Sequence, residues 1–217
     1  MYRITVNGTV YDTDTDKKLI DFLREDLRLT SVKEGCGEGA CGTCTIIADG
    51  KKIKACVQKV SKMAGKNLVT VEGLSGREKE VYAYCFAQAG AVQCGFCIPG
   101  MVISAKCLLD ENPDPDRAAI KKAIRGNICR CTGYKKIEDA ILMAAEYFRE
   151  NKEVPKTDSR ALLGQEYRRV DAKEKVLGTG VYVDDIILPG MIYAKALRSR
   201  YPRALVNKID ISRALAH

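Results

Sequence analysis

The chain has 217 residues, 36 Lys and Arg against 28 Asp and Glu, a formal net charge of +8, 46% apolar side chains, ten Cys and no Trp. That length suits one large domain or two to three small ones. The charge excess is uneven, with 12 basic and 7 acidic residues in 156–217; no basic stripe interleaves with aromatics, which argues against nucleic acid, and no apolar run reaches the length of a membrane span.

Taken in order, Arg3–Val6 and Thr9–Asp12 flank Asn7-Gly8, the pairing that predicts a tight β-hairpin. Leu19, Leu23 and Leu27 keep helical spacing and predict a helix over about 16–27, with Asp16 as its cap. A glycine-rich stretch follows, Cys36-Gly37-Glu38-Gly39-Ala40-Cys41-Gly42-Thr43-Cys44. Strands are expected at Cys44–Ala48 and Ile53–Val57 around the Asp49-Gly50 turn, the second delivering Cys56, with a last short strand at Leu68–Val71. From about residue 76 the pattern turns helical, with a helix around Tyr82–Ala89 and a second that starts at Ile98-Pro99 and stops at Asn112-Pro113. A third runs from Asp116 to about Arg125 before Gly126, and a fourth from about Lys136 to Glu150. The expected class is α+β: a small sheet wrapped on a helix, then a four-helix bundle.

The cysteines carry the chemistry. Cys36, Cys41 and Cys44 are spaced C-x4-C-x2-C with Cys56 downstream, the pattern plant-type ferredoxins use for a [2Fe–2S] cluster. The intervening glycines suit a backbone that must take positive φ and aim its amides at sulfur. Cys94 and Cys97 precede one predicted helix and Cys129 and Cys131 another, so four thiolates can meet at two positive helix ends. Zinc held by four thiolates competes with iron–sulfur at both places; at the first site only Cys41 and Cys44 are spaced like a zinc knuckle. The only His is His217, so any metal site within the chain is expected to rest on thiolates. Many cysteines and no export signal predict a reduced, cytoplasmic setting. Cys85 and Cys107 fall inside helical segments and are expected to be core residues, not ligands.

Three stretches go further: Lys33–Cys44, Gln93-Cys94-Gly95-Phe96-Cys97-Ile98-Pro99-Gly100-Met101, and Gly126-Asn127-Ile128-Cys129-Arg130-Cys131-Thr132-Gly133-Tyr134. On these, residues 1 to about 155 resemble the iron–sulfur subunit or domain of the molybdenum hydroxylases, the xanthine dehydrogenase and aldehyde oxidoreductase family. The resemblance implies a β-grasp [2Fe–2S] domain over 1–75 and a helical [2Fe–2S] domain over 76–151. It implies that Gln93 and the region of Cys131 contact the molybdopterin, in its dinucleotide form, held mainly by a partner molybdenum subunit. FAD would lie on a separate subunit. Residues 152–165 read as a linker. Residues 166–217, through Gly178-Thr179-Gly180 and Leu188-Pro189-Gly190-Met191, look like the start of that family's hammerhead α/β domain.

No residue expected to hydroxylate substrate has a counterpart here, so the chain is expected to carry electrons between partners. Purines are the first expectation for the substrate of the complex, with aldehydes, nicotinate-like heterocycles and carbon monoxide as alternatives. A zinc-loaded scaffold without redox role is the alternative of another class.

Overall fold

The computed structural model describes residues 1–155, 164 and 167–216, so much of the expected linker, and His217, lie outside the described residues. Strand β1 (Tyr2–Val6) turns through Asn7 and Gly8, at φ 51° and 83°, into β2 (Thr9–Thr13). Helix α1 starts at Leu19, and its second half, Phe22–Asp26, is wound more widely as a π turn. Asp16 does not cap it. Its carboxylate accepts instead from the Ser61 amide at 3.0 Å and braces a distant loop. Strands β3 (Thr45–Ala48), β4 (Lys51–Lys54) and β5 (Asn67–Val69) complete a five-stranded sheet in the order β2-β1-β5-β3-β4. The β1–β5 pair is parallel and the other three are antiparallel.

One face of the sheet packs on α1 through Ile4, Val6, Leu19, Leu23, Ile46 and Leu68. In β3 all four residues are buried, because the other face is covered too: Ile47 joins the core of the helices that follow. A strand buried on both sides loses the polar alternation of a half-exposed one.

Those helices are α2 (Gly76–Gln88), α3 (Ile98–Glu111), α4 (Arg117–Ile124) and α5 (Lys135–Arg149). Helix α2 begins earlier than its apolar pattern shows. Ser75 and Glu78 form a capping box, each side chain accepting from the other's backbone amide. Helix α3 supplies the bundle's centre, with Ile98, Met101, Val102, Ile103 and Ala105 all nearly inaccessible. The short helix α6 (Ala172–Val176) belongs to the same compact unit, Met1–Val181, and buries Ala172 and Val176 fully in the helical core.

Residues Tyr182–His217 form a second unit. Its described part holds one 3-10 turn, Val183–Asp185, and helix α7 (Ser212–Leu215). The apolar runs at 186–188 and 191–197 form no strand, and Ile192, Tyr193 and Leu197 are more than four-fifths exposed. No helix among the described residues is long and apolar enough to cross a membrane.

Candidate metal centres

The first centre is the loop between α1 and β3. Gly37, Gly39 and Gly42 hold φ of 68°, 79° and 70°, which an L side chain resists. The curl turns the Cys41 amide toward the Cys36 sulfur, at 3.4 Å. That amide, followed by the amide of Glu38 and the Cys41 side chain, draws the Cys36 thiol down to about 6, well into the range where a thiolate is ready to bind metal. A Cβ on Gly35 would lie 3.0 Å from the Cys41 sulfur, so the loop wraps its thiols without room for a further side chain. Cys44 and Cys56 sit deeper, nearly inaccessible, and touch each other. Burial above all pushes Cys44 up to about 12. Cys56 arrives on a 3-10 turn, Ala55–Val57, and not on a strand as its sequence suggested. Strand β4 stops at Lys54 because the chain must fold back under the loop; the Ala55 amide is tied to the Cys44 carbonyl at 3.2 Å.

The second centre lies where α3 and α5 begin. Cys97 is the residue before α3, and Cys129 and Cys131 lie on the turn before α5. The sulfurs of Cys94 and Cys131 stand 3.5 Å apart on the surface. Cys97 and Cys129 are buried and hydrogen-bonded to each other. Burial raises the Cys97 thiol strongly. At Cys129 burial also opposes the thiolate, but the Thr132 hydroxyl, 3.1 Å from the sulfur, and the amides of Cys131 and Thr132 outweigh it and lower the pKa. The side chain of Cys94 raises Cys131. Gln93 is exposed beside Cys94, and its carbonyl accepts from the Arg169 guanidinium at 2.8 Å.

Eight thiols therefore stand as four close pairs, two pairs to a site: Cys36 with Cys41, Cys44 with Cys56, Cys94 with Cys131, Cys97 with Cys129. A [2Fe–2S] unit is wider than an ion and takes two thiolates at each iron, so paired thiols fit it. Cys85 and Cys107 are buried in the helical core; burial pushes Cys85 up to about 12 and raises Cys107 too.

The two centres meet along a seam made largely of backbone. A Cβ on Gly42 would be driven into the Gly126 carbonyl, and one on Gly100 would lie 2.7 Å and 2.8 Å from the carbonyl oxygens of Gly42 and Thr43. The Ile128 amide donates to the Cys41 carbonyl at 2.7 Å. Asn127, 3% exposed, reaches across the seam; its side-chain amide donates to the Gly42 carbonyl at 2.9 Å. Neither Gly100 nor Asn127 has a signal in periodicity or spacing, since the Gly42 carbonyl that both meet lies more than fifty residues away. Tyr134 was also missed as a support. Its hydroxyl accepts from the Cys129 amide at 2.9 Å.

Fold and thiol geometry thus define an electron-transfer protein with two iron–sulfur sites. Residues 10–81 match the family model described as 2Fe-2S iron-sulfur cluster binding domain, and residues 70–142 match the [2Fe-2S] binding domain. The chain is 49% identical over 153 residues to the nicotinate dehydrogenase small FeS subunit of Eubacterium barkeri, covering 67% of this chain and 98% of that one. It is 38% identical over 229 residues to the aldehyde oxidoreductase of Megalodesulfovibrio gigas, covering 98% of this chain but 25% of that protein. The crystal structure of the aldehyde oxidoreductase from Desulfovibrio desulfuricans ATCC 27774 superposes with a TM-score of 0.76 at 40% identity, over 85% of this chain and 22% of that one. The chain belongs to the two-cluster iron–sulfur subunits and domains of the molybdenum hydroxylases, the xanthine dehydrogenase and aldehyde oxidoreductase family.

Proposed function

We propose that Cys36, Cys41, Cys44 and Cys56 hold one [2Fe–2S] cluster and Cys94, Cys97, Cys129 and Cys131 the other, in series between a molybdenum centre and an outer acceptor. The observation that carries this is the sorting of eight thiols into two sets of paired pairs on either side of one backbone seam. Each cluster supplies a single-electron store. The chain's own contribution is to fix the thiols, to aim amides at them and to keep the two sites within one compact unit. Gln93 and Cys131 are assigned to the molybdopterin side: both are exposed, and Cys131 shares its surface with Cys94. Gln93 offers both a donor and an acceptor to a pterin. The cofactor would be the dinucleotide form, held mainly by a molybdenum-binding partner, with FAD on a further subunit and the assembly in the cytoplasm.

Domain limits follow the same reading: 1–75 for the ferredoxin-like part, 76–151 for the helical part, 152–165 as linker and 166–217 as the opening of a hammerhead α/β domain. The exposed apolar side chains of 186–197 support the last assignment, since a strand with no neighbour to pair with leaves them bare. For the substrate of the complex, N-heteroaromatic rings stand first, nicotinate ahead of purines, because a nicotinate dehydrogenase subunit matches over nearly its whole length; aldehydes and carbon monoxide complete the panel. Turnover of the purified complex on that panel decides among them.

Iron and acid-labile sulfide at about four each per chain, with two distinct EPR signals on reduction, test the cluster assignment; a zinc-loaded, colourless chain would reject it. The order is tested with Cys41→Ala. That variant is expected to lose the first cluster while substrate still reduces the second once, and steady turnover with a flavin-linked acceptor collapses. Undiminished turnover with the first cluster absent would mean that electrons leave from the helical domain.

A further inference from the structure

We infer that the Asn127 side chain is the positioning residue for electron passage between the two centres: it holds the Ile128–Cys41 hydrogen bond that links them. The inference rests on the two-cluster reading above.

Asn127 lies two residues before Cys129, and Gly42 lies between Cys41 and Cys44, so the residue sits where the two thiol-bearing loops touch. Its orientation is fixed by chemistry. The Gly42 carbonyl can only accept, so the amide NH2 must face it. The same NH2 donates to the Thr45 hydroxyl at 3.3 Å, and the Asn127 amide oxygen accepts from the Ser104 hydroxyl at 2.7 Å. Its backbone is held as well: the Asn127 amide donates to Ile124 at 2.8 Å, and its carbonyl accepts from the Tyr134 hydroxyl at 3.3 Å. Residue 127 is therefore pinned to the first loop, to α3, to α4 and to the second loop at once.

The next amide along, Ile128, makes the 2.7 Å bond to the Cys41 carbonyl. That bond joins a residue adjacent to Cys129 to Cys41 itself. The Ile128 side chain is more than half exposed, so the placement of this amide leans on its buried neighbour Asn127. A buried amide with every polar atom matched is costly to disturb, and its loss is felt by each partner. Without Asn127 the glycine seam still packs, but the Ile128–Cys41 bond loses the buried side chain that fixes its position.

The test uses the full chain in its complex, with iron, sulfide and both EPR signals counted first. Asn127→Leu keeps the branched heavy-atom shape and removes all three side-chain hydrogen bonds; Asn127→Asp sets an acceptor against the Gly42 carbonyl. Ser104→Ala removes only the tether to α3. In molecules carrying both clusters, Asn127→Leu is expected to lose the spin–spin broadening between the two reduced clusters. Rapid-freeze EPR is expected to show the first cluster filling more slowly after the second. Unchanged broadening and filling in fully loaded Asn127→Leu would overturn the inference. If the Asn127 variants fail to load, Ser104→Ala decides: weakened coupling at full iron content upholds the positioning role, and unchanged coupling overturns it. Absence of two signals in the unaltered protein would instead remove the two-cluster reading itself.

Discussion

Gly100→Ala sets two effects of opposite sign against each other. Gly100 lies inside α3 at an ordinary helical φ, so by helix propensity alone alanine should stabilise by about 1 kcal/mol. The added methyl would sit 2.7 Å from the Gly42 carbonyl oxygen and 2.8 Å from that of Thr43. Ordinary C···O contacts begin near about 3.3 Å, so loop or helix must retreat by roughly half an ångström. The opposing atoms are backbone, tied by Asn127 and by the Thr45 amide, which donates to the Gly42 carbonyl at 3.1 Å; they cannot swing aside as a side-chain tip would. Overpacking of this kind costs about 1–3 kcal/mol, and a pinned backbone belongs at the upper end. The net expectation is a loss of about 1–2 kcal/mol, a fall in Tm of roughly 2–8 °C for a chain of this size. Thermal unfolding followed both by far-UV circular dichroism and by visible cluster absorbance measures it. The matched control is Gly76→Ala in α2, where nothing lies within 4 Å of the new methyl; it should melt at or slightly above the unaltered chain. If Gly100→Ala melts as high as Gly76→Ala with its visible spectrum intact, the close approach of α3 to the first loop is refuted.

Cys85→Ala and Cys107→Ala should each keep both clusters at full iron and sulfide content while costing about 1 kcal/mol of stability; loss of a cluster in either would break the ligand assignment. Lys106→Met tests the ion pair to Glu78, whose carboxyl is lifted by burial but held below its usual pKa by Lys106, 2.6 Å away, and by the Ser75 amide. A depressed carboxyl stabilises the fold above its unfolded pKa of about 4.3 and loses that contribution as pH falls through the lower folded value. Lys106→Met should therefore lower Tm most near neutrality and converge on the unaltered chain in acid; a deficit independent of pH would deny the pair. Trypsin should cut the isolated chain first at Arg198, Arg200 and Arg203, in the exposed second unit, and spare Lys175, whose side chain is largely buried. Protection of those arginines in the free chain as in the complex would show that the second unit folds alone.

What could be read from the sequence was chemistry that repeats at short range. Asn7-Gly8 announces positive φ at both turn residues, and both have it. The thiol spacing of the first loop and the helix starts after Cys97 and Cys131 are local in the same sense. The misses have physical causes. Helix α2 starts ahead of its apolar pattern because its first turn, Gly76–Lys79, is polar; the Ser75-x-x-Glu78 box, a signal the apolar pattern does not carry, marks its start. The strand expected over Ile53–Val57 rests on its β-branched ends, Ile53 and Val57, whereas the chain leaves the ladder at Lys54. Tertiary demand outweighs propensity in both β4 and the π turn of α1.

The seam between the centres was illegible for a different reason. Gly42 and Gly100 look like ordinary loop and helix glycines until the two loops and α3 are brought together. Only then does each absent side chain become a requirement, because backbone must lie against backbone. Burial of β3 on both faces has the same origin: Ile46 serves the sheet's own core, and Ile47 serves the helices. A ferredoxin-like sheet joined to a helical domain by a flexible tether would need neither feature. With both present, the distance between the two thiol sets is held by close-packed main chain, which has few ways to relax. A pair of single-electron sites in series needs that constancy. Conversely, substitutions along the seam should change communication between the sites before they change either site alone.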